Sequence, residues 1–131
     1  RAWTVRFGDA DPFGIAFYPR IVETVHDTCD AFVASLGFAF WELAASDRGL
    51  PVAEVDVEFE RELRAGDTVS VELDVDRGDD ALGESSVRFS YEGTVDGERA
   101  FTAFERRVYV ADGEPTPMPD DLRAALAAYE A

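Results

Sequence analysis

One stretch limits the folds open to this chain more than any other. Between Pro19 and Leu36 apolar residues recur at helical spacing. Ile21, Val22, Val25, Cys29, Phe32, Val33 and Leu36 fall within an arc of about 120° at about 100° per residue. Glu23, Asp27 and Asp30 lie on the opposite side, and Gly37 supplies the usual left-handed stop. At about 1.5 Å per residue the helix is roughly 27 Å long, enough to cross a small domain. A single long helix with one apolar stripe must bury it against a sheet.

The strands for that sheet are legible by alternation. Ala2 to Phe7 sets Trp3, Val5 and Phe7 against Thr4 and Arg6. Val55, Val57 and Phe59 alternate with Glu54, Asp56, Glu58 and Glu60, and Ala65-Gly66-Asp67 makes a turn. Val69, Val71, Leu73 and Val75 then alternate with Ser70, Glu72, Asp74 and Asp76. After a polar loop from Arg77 to Gly83, Val87, Phe89 and Tyr91 alternate with Ser86, Arg88 and Ser90. This is the pattern of half-buried antiparallel strands. Asp96-Gly97 is a strong hairpin signal, leading into a last strand over Glu98–Val110 that is apolar on both faces. Phe38 to Leu50 reads as a short helical turn or lid, and Asp112 to Pro119 as a proline-containing linker. Asp120 or Asp121 then caps a short helix lined by Leu122, Leu126 and Tyr129. The result is one α+β domain over residues 1–131, a curved antiparallel sheet wrapped around one long helix.

Charge narrows the function classes. Twelve basic against 28 acidic residues give a formal −16, and lysine, asparagine and glutamine are absent. Nucleic acids and anionic membranes require clustered positive charge, so both are excluded as expected partners. A coat this acidic is expected of a protein adapted to high salt, where screening removes self-repulsion. No apolar run approaches a membrane span, and no signal-peptide pattern opens the sequence, so a cytoplasmic protein is expected. One cysteine and one histidine leave no internal disulfide and no cysteine- or histidine-based metal cage. His26 and Cys29 lie one helical turn apart, but Cys29 falls inside the apolar stripe and reads as a buried small residue, not a nucleophile. No G-x-S-x-G elbow, P-loop or G-x-G-x-x-G pattern occurs.

The loop before the helix, Gly8-Asp9-Ala10-Asp11-Pro12-Phe13-Gly14-Ile15-Ala16-Phe17-Tyr18-Pro19, holds two carboxylates, two glycines and two prolines. Pro19 suits the first helical position. The free amides of that first turn, including those of Tyr18, Arg20 and Ile21, attract anions and developing oxyanions. Asp11 reads either as an Asx-turn residue or as a carboxylate facing that oxyanion site. Asp9 and Asp11 form a D-x-D pair with too few oxygen ligands for a metal.

This run, with a helix after it, resembles the signature of the hotdog-fold acyl-CoA thioesterases, in particular the 4-hydroxybenzoyl-CoA thioesterase family, and the likeness extends more weakly over nearly the whole chain. It implies hydrolysis of an acyl-CoA thioester without metal or cofactor. Asp11 would be nucleophile or general base, the Tyr18 amide would polarise the carbonyl, and Gly14 would allow close approach. The residues themselves leave the acyl group open: Phe13, Phe17, Phe38, Phe40 and Trp41 read either as an apolar or aromatic acyl pocket or as core or dimer contacts. Coenzyme A phosphates require a basic patch, for which Arg77, Arg88, Arg106 and Arg107 are the candidates. Family members work as dimers or tetramers with sites between subunits, so a homo-oligomer is expected. A non-catalytic acyl-ligand binding domain and an acyl-carrier-protein thioesterase are the alternative readings.

The charge analysis makes the first testable statement. Thermal unfolding followed in dilute buffer and in molar KCl should show a higher midpoint in high salt; equal midpoints contradict a salt-adapted acidic coat.

Overall fold

The computed structural model describes residues 1–76 and 82–129. Its helices are α1 (Tyr18–Ser35), α2 (Phe40–Ala45) and α3 (Asp120–Ala127). The first strands are β1 (Ala2–Thr4), β2 (Arg48–Gly49), β3 (Val52–Phe59) and β4 (Thr68–Val75). The later ones are β5 (Ser86–Val95), β6 (Glu98–Val108), β7 (Val110–Ala111) and β8 (Glu114–Pro115). A five-stranded sheet has the order β1-β4-β5-β6-β3, and a three-stranded sheet the order β2-β7-β8. No helix among the described residues is long and apolar enough to cross a membrane.

Two compact units divide the chain. The first comprises Arg1–Cys29, Val57–Leu73 and Tyr91–Ala103. In it β1 pairs antiparallel with β4, Trp3 opposite Val69. The expected strand to Phe7 stops early. Phe7–Asp9 forms a 3-10 turn in which the Asp9 carboxylate accepts the Arg6 amide at 2.9 Å, so Phe7 stands exposed while Val5 is buried. Ile21, Val25 and Cys29 are buried as the stripe requires, joined by Thr24 and Thr28. Those two hydroxyls donate to the carbonyls of Arg20 (2.9 Å) and Thr24 (2.8 Å), which lets polar side chains enter a helix's buried face. Asp96 and Gly97 both have positive φ (51° and 79°), the two-residue turn whose twist matches a hairpin. Across that hairpin Gly93 is buried against the Phe101 ring, where a Cβ would collide with the ring.

The second unit comprises the described residues of Asp30–Asp56, Asp74–Ser90 and Phe104–Ala131. Phe32 on α1 meets Phe89 on β5 edge-on at 6.2 Å and Tyr129 at 5.2 Å, while Leu122 and Leu126 of α3 are fully buried. The N-cap position of α3 is Pro119 and not Asp120 or Asp121 as expected, but Asp121, inside the first turn, accepts the Leu122 amide through Oδ1 at 2.9 Å. The expected linker from Asp112 instead opens with a second hairpin. Asp112 and Gly113 have φ of 52° and 81°, Val110 pairs with Pro115, and Arg48 of β2 pairs with Ala111 of β7.

The expectation that Val55, Val57 and Phe59 face a core within the chain is corrected. β3 is an edge strand, and Val52, Val55 and Phe59 are exposed.

Candidate active site

The loop before α1 is closed by its own backbone. The Asp11 amide donates to the Ile15 carbonyl (2.8 Å), the Gly14 amide to the Asp11 carbonyl (2.9 Å), and Ala10 bridges Ala16. Gly14 holds φ at 78°, a conformation that a side chain makes costly. Asp11 Oδ1 accepts the amides of Phe13 (2.9 Å) and Ile15 (3.3 Å). The Asx-turn role and the chemical role are therefore compatible, since one carboxylate oxygen shapes the turn and leaves the other, Oδ2.

Outside bonds then fix the whole loop. The Ala16 amide donates to the Leu63 carbonyl at 2.6 Å, Ile15 bridges Arg64, and the Phe17 amide donates to the Asp9 carbonyl at 2.7 Å. α1 starts one residue earlier than the pattern suggests, at Tyr18, so Pro19 is its second residue and contributes no N–H. Arg20's amide is taken by the Phe17 carbonyl at 2.9 Å. Tyr18, as first residue, has no carbonyl four residues back inside the helix, and its amide is the donor the helix start has to offer.

Beside this helix start lies a cavity of about 390 Å³. Ile15, Ala16, Ile21, Phe59 and Leu63 give it apolar walls, with Tyr18 at the helix start and Glu60, Arg61 and Glu62 adding charge. Each charged side chain has a partner. Arg99 holds Glu60 through Nε and through Nη2 (2.9 Å), Arg64 holds Glu62 at 2.7 Å, and Arg61 lies 3.5 Å from Asp67 and 3.6 Å from Glu98. Hydrogen bonding to Glu60, then its charge, then that of Glu92 raise the Arg99 guanidinium above its ordinary pKa.

The expected site residues separate into three groups. Asp11, Gly14 and Tyr18 are brought together by one short loop and the helix it feeds; Tyr18 lines the cavity, and Asp11 bonds to the Ile15 amide of its wall without lining it. Phe13 (80% exposed) and Phe17 do not line the cavity. The basic candidates diverge most. Arg106 is exposed, Arg88 pairs with Asp76 at 2.9 Å and stacks on the Phe104 ring at 3.8 Å, and Arg77 lies outside the described residues.

Arg107 corrects the expectation of a phosphate contact. It is 1% exposed, bonded to both Glu105 carboxylate oxygens (3.1 Å each) and to the Leu50 carbonyl (3.1 Å), and lies 5.3 Å from the Phe40 ring. Its signal is Glu105 two positions earlier, on the same face of one strand. The cavity's charged residues Glu60, Arg61 and Glu62 were missed; their trace is three charges in succession where strict alternation ends.

A family profile described as the thioesterase-like superfamily matches residues 5–126. The chain belongs to that superfamily. It is 30% identical over 90 residues to a 1,4-dihydroxy-2-naphthoyl-CoA hydrolase of Synechococcus elongatus, which covers 66% of this chain. The match spans 62% of that relative's length. Its structure superposes with a TM-score of 0.86 on a gentisyl-coenzyme A thioesterase that is 29% identical, covering 96% of this chain and 98% of the other. A thioesterase from Thermus thermophilus complexed with coenzyme A and Zn is 25% identical, with a TM-score of 0.85 over 98% and 91% of the two chains. The fold of this thioesterase-like chain is the hotdog fold. Among its described residues no three His, Cys, Asp or Glu side chains are grouped to hold a metal ion.

Replacing Arg107 with Met should cost about 3–5 kcal/mol of stability in denaturant unfolding, because Glu105 stays buried after losing its counter-charge. An Arg107→Met protein that unfolds at the wild-type denaturant concentration but loses coenzyme A affinity would restore the phosphate role.

Proposed function

We propose that this chain is an acyl-CoA thioesterase acting on a hydroxylated aromatic acyl group. The observation that carries the reading is the juxtaposition of the Asp11 turn, the Tyr18 amide and an apolar cavity at one helix start. In this mechanism the thioester carbonyl oxygen lies against the Tyr18 N–H, where negative charge develops as the carbonyl carbon becomes tetrahedral. Asp11 Oδ2 attacks that carbon or takes a proton from the attacking water, while Oδ1 stays fixed by Phe13 and Ile15. Gly14 keeps the loop backbone free of a side chain. Collapse of the tetrahedral intermediate expels the coenzyme A thiolate, and an acyl-aspartate formed by direct attack would then be hydrolysed.

The substrate class draws on the relatives, whose names specify naphthoyl and gentisyl thioesters of coenzyme A. Exposed Arg88 and Arg106 are the proposed phosphate contacts. A homo-oligomer belongs to the same reading. β3 leaves an unpaired edge bearing exposed Val52, Val55 and Phe59, a surface that a partner copy would cover. The second reading, a binding domain without hydrolysis, is favoured by one fact: Asp11 is not among the residues lining the cavity.

Two substitutions at Asp11 separate shape from chemistry. Asp11→Asn keeps an Oδ1 acceptor for both amides, so its unfolding midpoint should match wild type while hydrolysis falls about 10²–10⁴-fold. Asp11→Ala should lose hydrolysis and also about 1–2 kcal/mol of stability as the turn loses its acceptor. Wild-type turnover in the Asn variant would remove Asp11 from the mechanism. Coenzyme A thioester binding by a wild-type protein that hydrolyses none of them would establish the binding domain.

A further inference from the structure

We infer that Glu60 and Arg61 read a hydroxyl group on the acyl moiety, an inference that rests on the thioesterase reading and names its specificity-determining pair. The amides of Glu60 (2.8 Å) and Arg61 (3.2 Å) both donate to the Ala100 carbonyl. β3 ends at Phe59, and in the bend that follows these two residues face one carbonyl, a bulge at the end of the ladder that breaks the alternation of side chains and re-aims them. The consequence is visible in the cavity wall: Glu60, Arg61, Glu62 and Leu63 all line it, whereas a regular strand would turn every second residue away.

The bulge sets an acceptor beside a donor in a largely apolar pocket. Glu60 is held in place by the two bonds from Arg99, and its carboxylate retains further lone pairs. Arg61 Nε donates to the Glu62 carbonyl at 3.3 Å, while Nη2 and Nη1 lie 3.5 and 3.6 Å from the carboxylates of Asp67 and Glu98, beyond ordinary hydrogen-bond length, so these two nitrogens have donors to give. A hydroxyl both donates and accepts, and satisfies Glu60 and Arg61 together. An unsubstituted ring would offer neither group a partner, and a carboxylate substituent would meet Glu60 charge to charge.

The test uses the full chain with hydroxybenzoyl-CoA and benzoyl-CoA. Wild type should show the higher kcat/KM for the hydroxylated thioester. In Glu60→Gln and in Arg61→Gln the ratio between the two substrates should fall about tenfold, mainly through KM. A ratio unchanged in both variants, including one in which both rates drop together, overturns the inference, because a merely structural role would lower both alike. Should wild type hydrolyse neither thioester, the hydrolase reading fails by itself. Calorimetric binding of the same two thioesters then decides: tighter binding of the hydroxylated one that is lost in the variants sustains the pair's role, and equal affinities overturn it.

Discussion

The proposed site depends on one short backbone connection, the Ala16 amide on the Leu63 carbonyl at 2.6 Å with the bridge between Ile15 and Arg64 beside it. It fastens the loop that carries Asp11 to the segment that carries Glu60 and Arg61. Without it the loop and the Glu60–Leu63 wall of the cavity would lose this backbone link. A loop of this composition pays a conformational entropy penalty of about 1–2 kcal/mol per ordered residue, so its internal Asx turn and these external bonds must act together. Catalytic geometry demands that rigidity, since small misplacements of a reacting group are costly in rate.

The arginines show how an acidic chain uses scarce positive charge. Arg99, Arg64 and Arg61 each answer carboxylates around the cavity, while Arg107 lies in the core with Glu105. Exposed pairs of this kind contribute little stability individually, and salt screens them further. Their contribution is orientation: Glu60 is a carboxylate held in one place. The proposed substrate, a coenzyme A thioester, is itself a polyanion, so screening by salt should assist its approach to a chain carrying −16.

The helix and the hairpin turn at Asp96-Gly97 were legible because each follows from local chemistry: a 3.6-residue period and two residues tolerant of positive φ. The same dipeptide logic applies at Asp112-Gly113, but the three prolines that follow pointed to a linker and hid the hairpin. β3 shows what alternation omits. It reports which side chains share a face, not whether anything covers that face, and Val55 and Phe59 stay exposed. Asp11 and Tyr18 could be proposed from sequence because they lie seven positions apart in one loop and the helix it feeds. Arg107 and Arg106 are neighbours in sequence with opposite fates, decided by strand parity and a partner carboxylate. The Glu60–Arg61 bulge was hidden because it needs a carbonyl from Ala100, some forty residues away.

A crystal structure with an acyl-CoA analogue in which a methylene replaces the thioester sulfur tests the central claim most directly. The account predicts the ketone oxygen about 2.7–3.1 Å from the Tyr18 amide nitrogen, with Asp11 Oδ2 the carboxylate oxygen nearest the ketone carbon. A ketone bound away from the helix start, or with Glu60 closer to its carbon than Asp11, would contradict it.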